Sequence, residues 1–221
     1  MPEIKERPIL FSAPMVRAIL EGRKTVTRRA LNAQSLKNIG YGVQLGECHE
    51  LPSEGPLHPN SIGYYIDFCP YGNPGDRLWV RETCFINDYR EAAVPVDERA
   101  ECEIIYRADG LPDWEGEEEL IRWRPSIHMP RWASRILLEI TDVRVERLQD
   151  ITEEQALAEG IIPHVRGGWH WHPHDPSNVD DWHQFGFKSP AFAFQDLWIG
   201  TGGNWDANPW VWVVEFKRVT P

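Results

Sequence analysis

The spacing of apolar positions in the first thirty residues predicts a short helix followed by an extended segment. Ser12 is of a residue type that begins helices, and Gly22 is of one that ends them. Four apolar residues between them recur on one helical face: Met15, Val16, Ile19 and Leu20. Residues 24–29, KTVTRR, include β-branched side chains that favour a strand or a tight extended turn.

Further along the chain, apolar runs predict three more strands and two more helices. The strands are predicted at residues 75–82, 135–145 and 210–216. A capping box marks the start of one helix, because Thr152 and Gln155 stand three residues apart, and Gly160 marks its end. The other helix is predicted at residues 192–198.

Three stretches without a sustained apolar period interrupt these elements. They are predicted to be long loop insertions at about residues 30–74, 86–120 and 163–190. The second insertion is acidic and holds a short predicted strand at Glu103–Arg107. Short strands, a few short helices and long loops indicate an α+β fold, a mixed β-barrel formed by a single domain over residues 1–221.

The composition fits a globular protein that does not coat nucleic acid through bulk charge. The chain has 221 residues, of which 42% are hydrophobic, and its formal net charge is −11. Residues 1–40 differ from this average, because eight basic and three acidic side chains give them a net charge of +5. A locally basic face of this kind is compatible with binding one nucleotide or a short RNA.

The sequence predicts a cytoplasmic protein without a membrane segment. No stretch approaches the roughly 18 apolar residues that span a bilayer, and the first residues, MPEIKERPIL, lack the apolar core of a signal peptide. The four cysteines form no C-x-x-C pair, which favours buried thiols in a reducing compartment: Cys48, Cys69, Cys84 and Cys102. No obligate protein partner is evident.

Two local features suggest proton chemistry, and each also has an ordinary structural explanation. Glu159 falls in the last turn of a predicted helix, where the dipole costs a carboxylate about 0.3–1 kcal/mol. A surface glutamate that tolerates this position is one interpretation, and a partly buried proton carrier is the other. Lys24 and Thr27 converge in a turn but face opposite sides in a flat strand. They form either a lysine-activated nucleophile or a basic strand edge.

Four blocks of the sequence resemble a known family. The run ILEGRKTVTRR at residues 19–29 resembles the opening signature of the ASCH domain, a member of the PUA-like β-barrel superfamily. Residues 75–82, 151–160 and 212–216 resemble the later blocks of this domain in the same order. The layout of the whole chain, including residues 124–135, is similar to larger ASCH proteins of bacteria and their prophages.

The resemblance implies a PUA-like mixed barrel whose cleft accommodates RNA or a modified nucleoside. One bacterial ASCH subgroup hydrolyses the amide of N4-acetylcytidine with a threonine, a lysine and a glutamate, which match Thr27, Lys24 and Glu159 here. A small amidohydrolase that removes an acyl group from a nucleoside is therefore expected. The alternatives are a non-catalytic module that binds RNA or a modified base, and a ribonuclease. The three insertions depart from the subgroup and leave the substrate open.

A further set of residues, basic or aromatic except for one glutamate, is predicted to contact a nucleoside or RNA. Its members are Arg23, Arg28, Trp79, Arg81, Glu82, Arg131 and Trp132. Tryptophan and arginine stack on bases and contact phosphates. Tryptophans in alternating strands are also typical core residues, and arginines are typical of solvated surfaces.

The histidines of the third insertion are a candidate metal site. His170, His172 and His174 alternate with Trp171 and Pro173, so an extended chain would place the three imidazoles on one face. Their spacing matches no ligand signature, which favours an incidental histidine-rich loop. The sequence therefore predicts neither a metal ion nor a cofactor.

Overall fold

A computed structural model describes residues 3–87, 103–111, 121–174 and 185–219 of the chain. The strands are β1 (Glu6–Leu10), β2 (Val26–Ala30), β3 (Arg77–Arg81), β4 (Cys84–Ile86), β5 (Ile104–Tyr106), β6 (Leu137–Arg147), β7 (Ile162–Pro163), β8 (Trp169–His170) and β9 (Trp210–Val219). The α-helices are α1 (Ala13–Leu20), α2 (Ala33–Leu45), α3 (Ile62–Ile66), α4 (Glu153–Ala158) and α5 (Pro190–Gly200). Short 3₁₀ turns connect several of them, among them Ser126–His128 and Arg131–Ala133.

Five of the strands form one mixed sheet in the order β1–β3–β6–β9–β2. The pair β1–β3 is parallel and the other three pairs are antiparallel. Strands β6 and β9 are the longest and pair along their whole length, with one shift of register between Ile140 and Asp142. In the described ranges β1 and β2 are the two edges of this sheet, so hydrogen bonding between strands does not close it into a barrel. The predicted α+β fold is confirmed.

Strand β9 is apolar on both faces because each face of the sheet is covered by helices. Trp212 and Val214 lie in a core on one face, against α1 and the segment that holds α2 and α3. Val211 and Val213 lie in a second core on the other face, against α4 and α5. A strand buried on both sides needs a continuous apolar run rather than alternation, and this explains the sequence WVWVV.

The prediction of a loop over residues 30–74 is wrong where α2 and α3 form. Asn32 caps α2 by accepting the N–H of Ser35, and Gly46 ends it with a φ of +77°. The apolar period of α2 is interrupted by glycine. The ring of Tyr64 lies where a Cβ on Gly42 would be, at 2.4 Å, so a packing requirement hides the helical pattern.

The other two insertions are described only in part. The strand predicted at Glu103–Arg107 is confirmed as β5, which pairs with β4. In the third insertion, β7 and β8 pair as a short antiparallel ladder. Residues 88–102, 112–120 and 175–184 of these insertions lie outside the described part of the chain.

Two compositional predictions can be compared with the structure. Cys48, Cys69 and Cys84 are buried, as predicted, and Cys102 lies outside the described residues. Among the helices that the structure describes, none has both the length and the apolar character needed to cross a bilayer.

Candidate active site

The backbone brings Lys24 and Glu159 together although 135 residues separate them. The capping box of Thr152 and Gln155 is present and starts α4, and Glu159 is the residue that follows the last turn of this helix. Lys24 and Glu159 then form an isolated antiparallel bridge just before β2. The predicted helix ends where the sequence placed its end, and that end delivers a carboxylate to the edge of the sheet.

Gly160 makes this approach possible. Its φ is +102°, and an added Cβ would lie 2.9 Å from the Cβ of Ala18 and 3.3 Å from that of Lys24. Both the backbone conformation and the lack of space exclude a side chain here.

We expect Gly160→Ala to lower the free energy of unfolding by about 1–3 kcal/mol, because alanine is strained at this φ and collides with its neighbours. Gly40→Ala is the matched control, since Gly40 lies inside α2 with no atom within 4 Å of an added Cβ. This control should raise the free energy by up to about 1 kcal/mol. Urea unfolding measures both changes, and equal shifts of the two variants would contradict the expectation.

The Lys24 ammonium is fully buried and has three hydrogen-bond acceptors. Its Nζ lies 2.5 Å from Oε2 of Glu159, 3.0 Å from the carbonyl oxygen of Glu159 and 2.9 Å from that of Val26. The side chains of Lys24 and Glu159 are 0% and 3% exposed. Burial lowers the pKa of Lys24 below its ordinary 10.5, Glu159 opposes this shift, and the cations Arg29 and Arg28 add to it. The two side chains therefore act as one coupled acid–base pair.

The lowered pKa of Lys24 predicts that stability rises with pH on the alkaline side. Between its pKa in the folded protein and 10.5, the unfolded chain binds more protons at Lys24 than the folded protein does. The free energy of unfolding therefore increases with pH over that window. We expect the free energy of unfolding of the wild type to increase relative to that of Lys24→Met as pH rises from 7 to 10, and urea unfolding measures both. Parallel curves would contradict the assignment.

Arg28 links the buried pair to Glu146, a carboxylate that is 22% exposed and also pairs with Arg144. Nη1 of Arg28 lies 3.4 Å from Oε1 of Glu159 and its Nη2 lies 3.0 Å from Oε2 of Glu146. The Arg28 side chain is 0% exposed, and its Nε has no hydrogen-bond partner in the described residues. Three of these charged side chains, Lys24, Arg28 and Glu159, are thus buried together. Such an arrangement is costly to bury unless it is well paired.

Thr27 and Glu159 line a cavity of about 310 Å³ at the outer edge of β2. Thr27 is part of β2 and pairs with Val214 of β9. Apolar and polar side chains complete the wall, including Met15, Arg28, Arg29, Phe194, Leu197 and Trp198. Lys24 does not line this cavity, so Glu159 is the member of the pair that reaches the cavity wall. Thr27 is 1% exposed, and its hydroxyl makes no hydrogen bond within the described residues.

Arg23 lies beside the pair but outside the cavity. Its Nη1 donates to the carbonyl oxygen of Gly160 at 2.9 Å, and its guanidinium pairs with Glu21. The hydrogen bond to Gly160 connects Arg23 to the turn that follows α4. Of the predicted ligand-contacting residues, Arg28 is the one that the structure brings to the wall of this cavity.

Trp79, Arg81 and Arg131 form a separate surface cluster. The guanidinium carbons of Arg81 and Arg131 lie 5.5 and 5.8 Å from the ring centre of Trp79. Arg81 donates to the carbonyl oxygen of Ile127, and Arg131 pairs with Glu6. None of the three lines the cavity beside Thr27.

Glu82 and Trp132 contact other side chains of the protein, and neither lines the cavity beside Thr27. Arg135 donates to both carboxylate oxygens of Glu82, at 2.9 and 3.1 Å, and also pairs with Asp109. Burial raises the pKa of the Glu82 carboxyl, although Arg135 opposes the shift. Trp132 packs against the small core that contains Met129. The Glu82 cluster thus ties residues 103–111 to the end of β3.

His164, His170, His172 and His174 lie close together, with ring centres of neighbouring pairs 4.1–5.8 Å apart. Nδ1 of His164 accepts the N–H of Arg166, and Nδ1 of His170 accepts that of Trp171. The rings of His170 and His172 lie 4.1 Å apart. Among the residues that the structure describes, which include His174, no group of three or more His, Cys, Asp or Glu residues that could hold a metal is found.

Glu146 and the aromatic wall of the cavity are the functional candidates that sequence reasoning missed. Glu146 belongs to β6 and meets Arg28 across 118 residues, and Phe194 and Trp198 come from α5. In the sequence, Phe194 and Trp198 show only as apolar positions of a predicted helix, and Glu146 only as a polar position of a strand. No local signal distinguishes them.

Comparison with known proteins gives one point of similarity. No protein-family model matches the chain, and no curated protein matches it. The chain is similar to an ASCH domain structure. This is the crystal structure of the ASCH domain from Lactobacillus crispatus JV V101, with 13% sequence identity and a TM-score of 0.33 over 98% of this chain and 81% of that one.

Proposed function

We propose that the protein hydrolyses a linear amide on an acylated nucleoside of the N4-acetylcytidine type. The observation that carries this proposal is the buried Lys24–Glu159 pair, whose glutamate lines the same cavity as Thr27. A nucleophile, a coupled acid–base pair and a space for substrate are the parts that acyl transfer requires. The resemblance of residues 19–29 and 151–160 to the amidohydrolase subgroup supports the choice of substrate.

The chemistry follows from the order of these groups. Oγ1 of Thr27 attacks the acyl carbon, and the hydroxyl proton passes to the Lys24–Glu159 pair. The C–N bond then breaks, and the pair returns a proton to the departing amine of the base. A water molecule hydrolyses the resulting threonine ester, which releases the carboxylic acid and restores the hydroxyl. Because Glu159 lines the cavity and Lys24 lies behind it, Glu159 is the member of the pair that faces the substrate.

The walls of the cavity suit a flat, partly apolar base. Met15, Phe194, Leu197 and Trp198 supply apolar lining, and Thr27, Arg28, Arg29 and Glu159 are its polar and charged residues. A volume of about 310 Å³ falls within the range of small-molecule sites. This combination of a few polar groups in an apolar recess is typical of a ligand pocket.

The proposal is tested with wild-type protein and two substrates. We expect incubation with N4-acetylcytidine to release cytidine and acetate. Chromatography measures this release. A folded protein that releases no cytidine would overturn the proposal. In a parallel incubation with a short RNA, retention of intact RNA would favour the binding module, and shortened RNA would favour the ribonuclease.

A further inference from the structure

A second cavity, of about 540 Å³, adjoins the one beside Thr27. The two share three lining residues: Met15, Arg29 and Thr201. Arg29 therefore lies in the wall of both cavities.

The lining of the second cavity suits an anion. Hydroxyl groups come from five residues: Ser12, Tyr71, Thr83, Ser126 and Thr201. Among the described residues that line it, Arg29 carries the only charge, and no carboxylate is present. The chain as a whole has a net charge of −11, whereas the described lining of this cavity carries one positive charge, five hydroxyl groups and no negative charge.

The charge of Arg29 is not used by a protein carboxylate. Its Nη2 donates to the carbonyl oxygen of Leu10 at 2.7 Å, and its guanidinium lies 5.2 Å from the ring centre of Phe11. In the described part of the chain Arg29 makes no salt bridge, whereas the adjacent Arg28 makes two. The Ser12 side chain is also available, because it makes no capping hydrogen bond to α1.

We propose that the second cavity binds a phosphate group of the substrate, so that the protein acts on an acylated nucleotide rather than on a free nucleoside. Arginine and hydroxyl groups are the side chains that hold phosphate oxygens. The inference rests on the proposed amidohydrolase function for its turnover measurement. The phosphate is that of a mononucleotide or that of a strand, and the two are distinguished by the substrates below.

The turnover experiment compares kcat/KM for four substrates: N4-acetylcytidine, its 5′-monophosphate, its 3′-monophosphate and a short RNA that carries one N4-acetylcytidine. We expect one phosphorylated form to exceed the free nucleoside about 10- to 100-fold, the effect of one hydrogen bond to a charged group. In Arg29→Gln this ratio should fall to about one. Arg29→Lys should keep part of it, which shows that a loss in Arg29→Gln is not misfolding.

Arg218→Gln is the matched control for charge. Arg218 is exposed and lies six residues along β9 from Trp212, the strand partner of Arg29, or about 20 Å away. This variant should leave the substrate ratio unchanged. Preference for the RNA over both monophosphates would identify the phosphate as that of a strand.

A binding experiment separates the failure of this inference from the failure of the proposed function. Calorimetric titration with cytidine and with its two monophosphates involves no chemistry. Turnover with equal kcat/KM for all four substrates would overturn the phosphate site and leave the amidohydrolase intact. Absence of turnover, with tighter binding of a monophosphate that disappears in Arg29→Gln, would keep the phosphate site and overturn the amidohydrolase. Equal binding of cytidine and both monophosphates without turnover would overturn both.

Discussion

Thr27→Ala is expected to lower the rate of N4-acetylcytidine hydrolysis at least about 1,000-fold. The substitution removes the hydroxyl that attacks the acyl carbon, and loss of a nucleophile that acts as part of a unit removes most of the rate enhancement. Its effect on folding should be small, because the backbone of Thr27 still pairs with Val214. Cytidine release, followed by chromatography at fixed protein concentration, measures the change.

Thr25→Ala is the matched control for this experiment. Thr25 lies two residues away and is exposed, and its backbone N–H donates to the carbonyl oxygen of Ala158 in both proteins. This control should keep the wild-type rate. Thr27→Ser, which retains a hydroxyl, should keep a measurable part of it. Wild-type turnover by Thr27→Ala would show that Thr27 is not the nucleophile.

Glu159→Gln is expected to lower the free energy of unfolding by about 3–5 kcal/mol at pH 7. Without the carboxylate, the buried Lys24 ammonium loses its counter-ion and stands near Arg28. The alternative is loss of the Lys24 proton, which costs about 1.4 kcal/mol for each pH unit below 10.5. The destabilisation should therefore shrink as pH rises toward 10.5, and urea unfolding at several pH values measures it.

Two further variants decide whether this cost comes from a broken buried pair. In Lys24→Met/Glu159→Gln both charges are gone, so most of the stability should return while hydrolysis stays absent. Glu139→Gln breaks the exposed pair between Glu139 and Lys217, at 2.7 Å, and should cost less than about 1 kcal/mol. A double variant as unstable as Glu159→Gln would contradict the argument.

The two predictions separate stability from activity. Thr27→Ala should lose activity with little effect on folding, and the double variant should regain stability without regaining activity. A pair of charges in the interior is often no more stable than apolar residues of similar volume. Of the buried charged side chains Lys24, Glu159 and Arg28, the last two line the cavity that Thr27 also lines. Buried charges that add little stability but surround a cavity are typical of a functional site.

Some elements could be predicted from the sequence because their signals are local. The capping box of Thr152 and Gln155, the stop at Gly160 and the apolar run of β9 each involve neighbouring residues, and each element forms where it was expected. Helix α2 was missed because Gly42 is required by the ring of Tyr64, a contact that the sequence does not show.

The candidate site divides in the same way. Lys24, Thr27 and Glu159 were selected by motifs that are local in the sequence, but the residues alone left open whether the lysine and the threonine converge or the glutamate is a surface group. Only the tertiary structure decided that Lys24 and Glu159 are buried against each other. It also joined Arg28 to Glu146 and placed Arg29 between two cavities. Capping and periodicity act over a few residues, whereas ion pairing and cavity shape depend on segments more than a hundred residues apart.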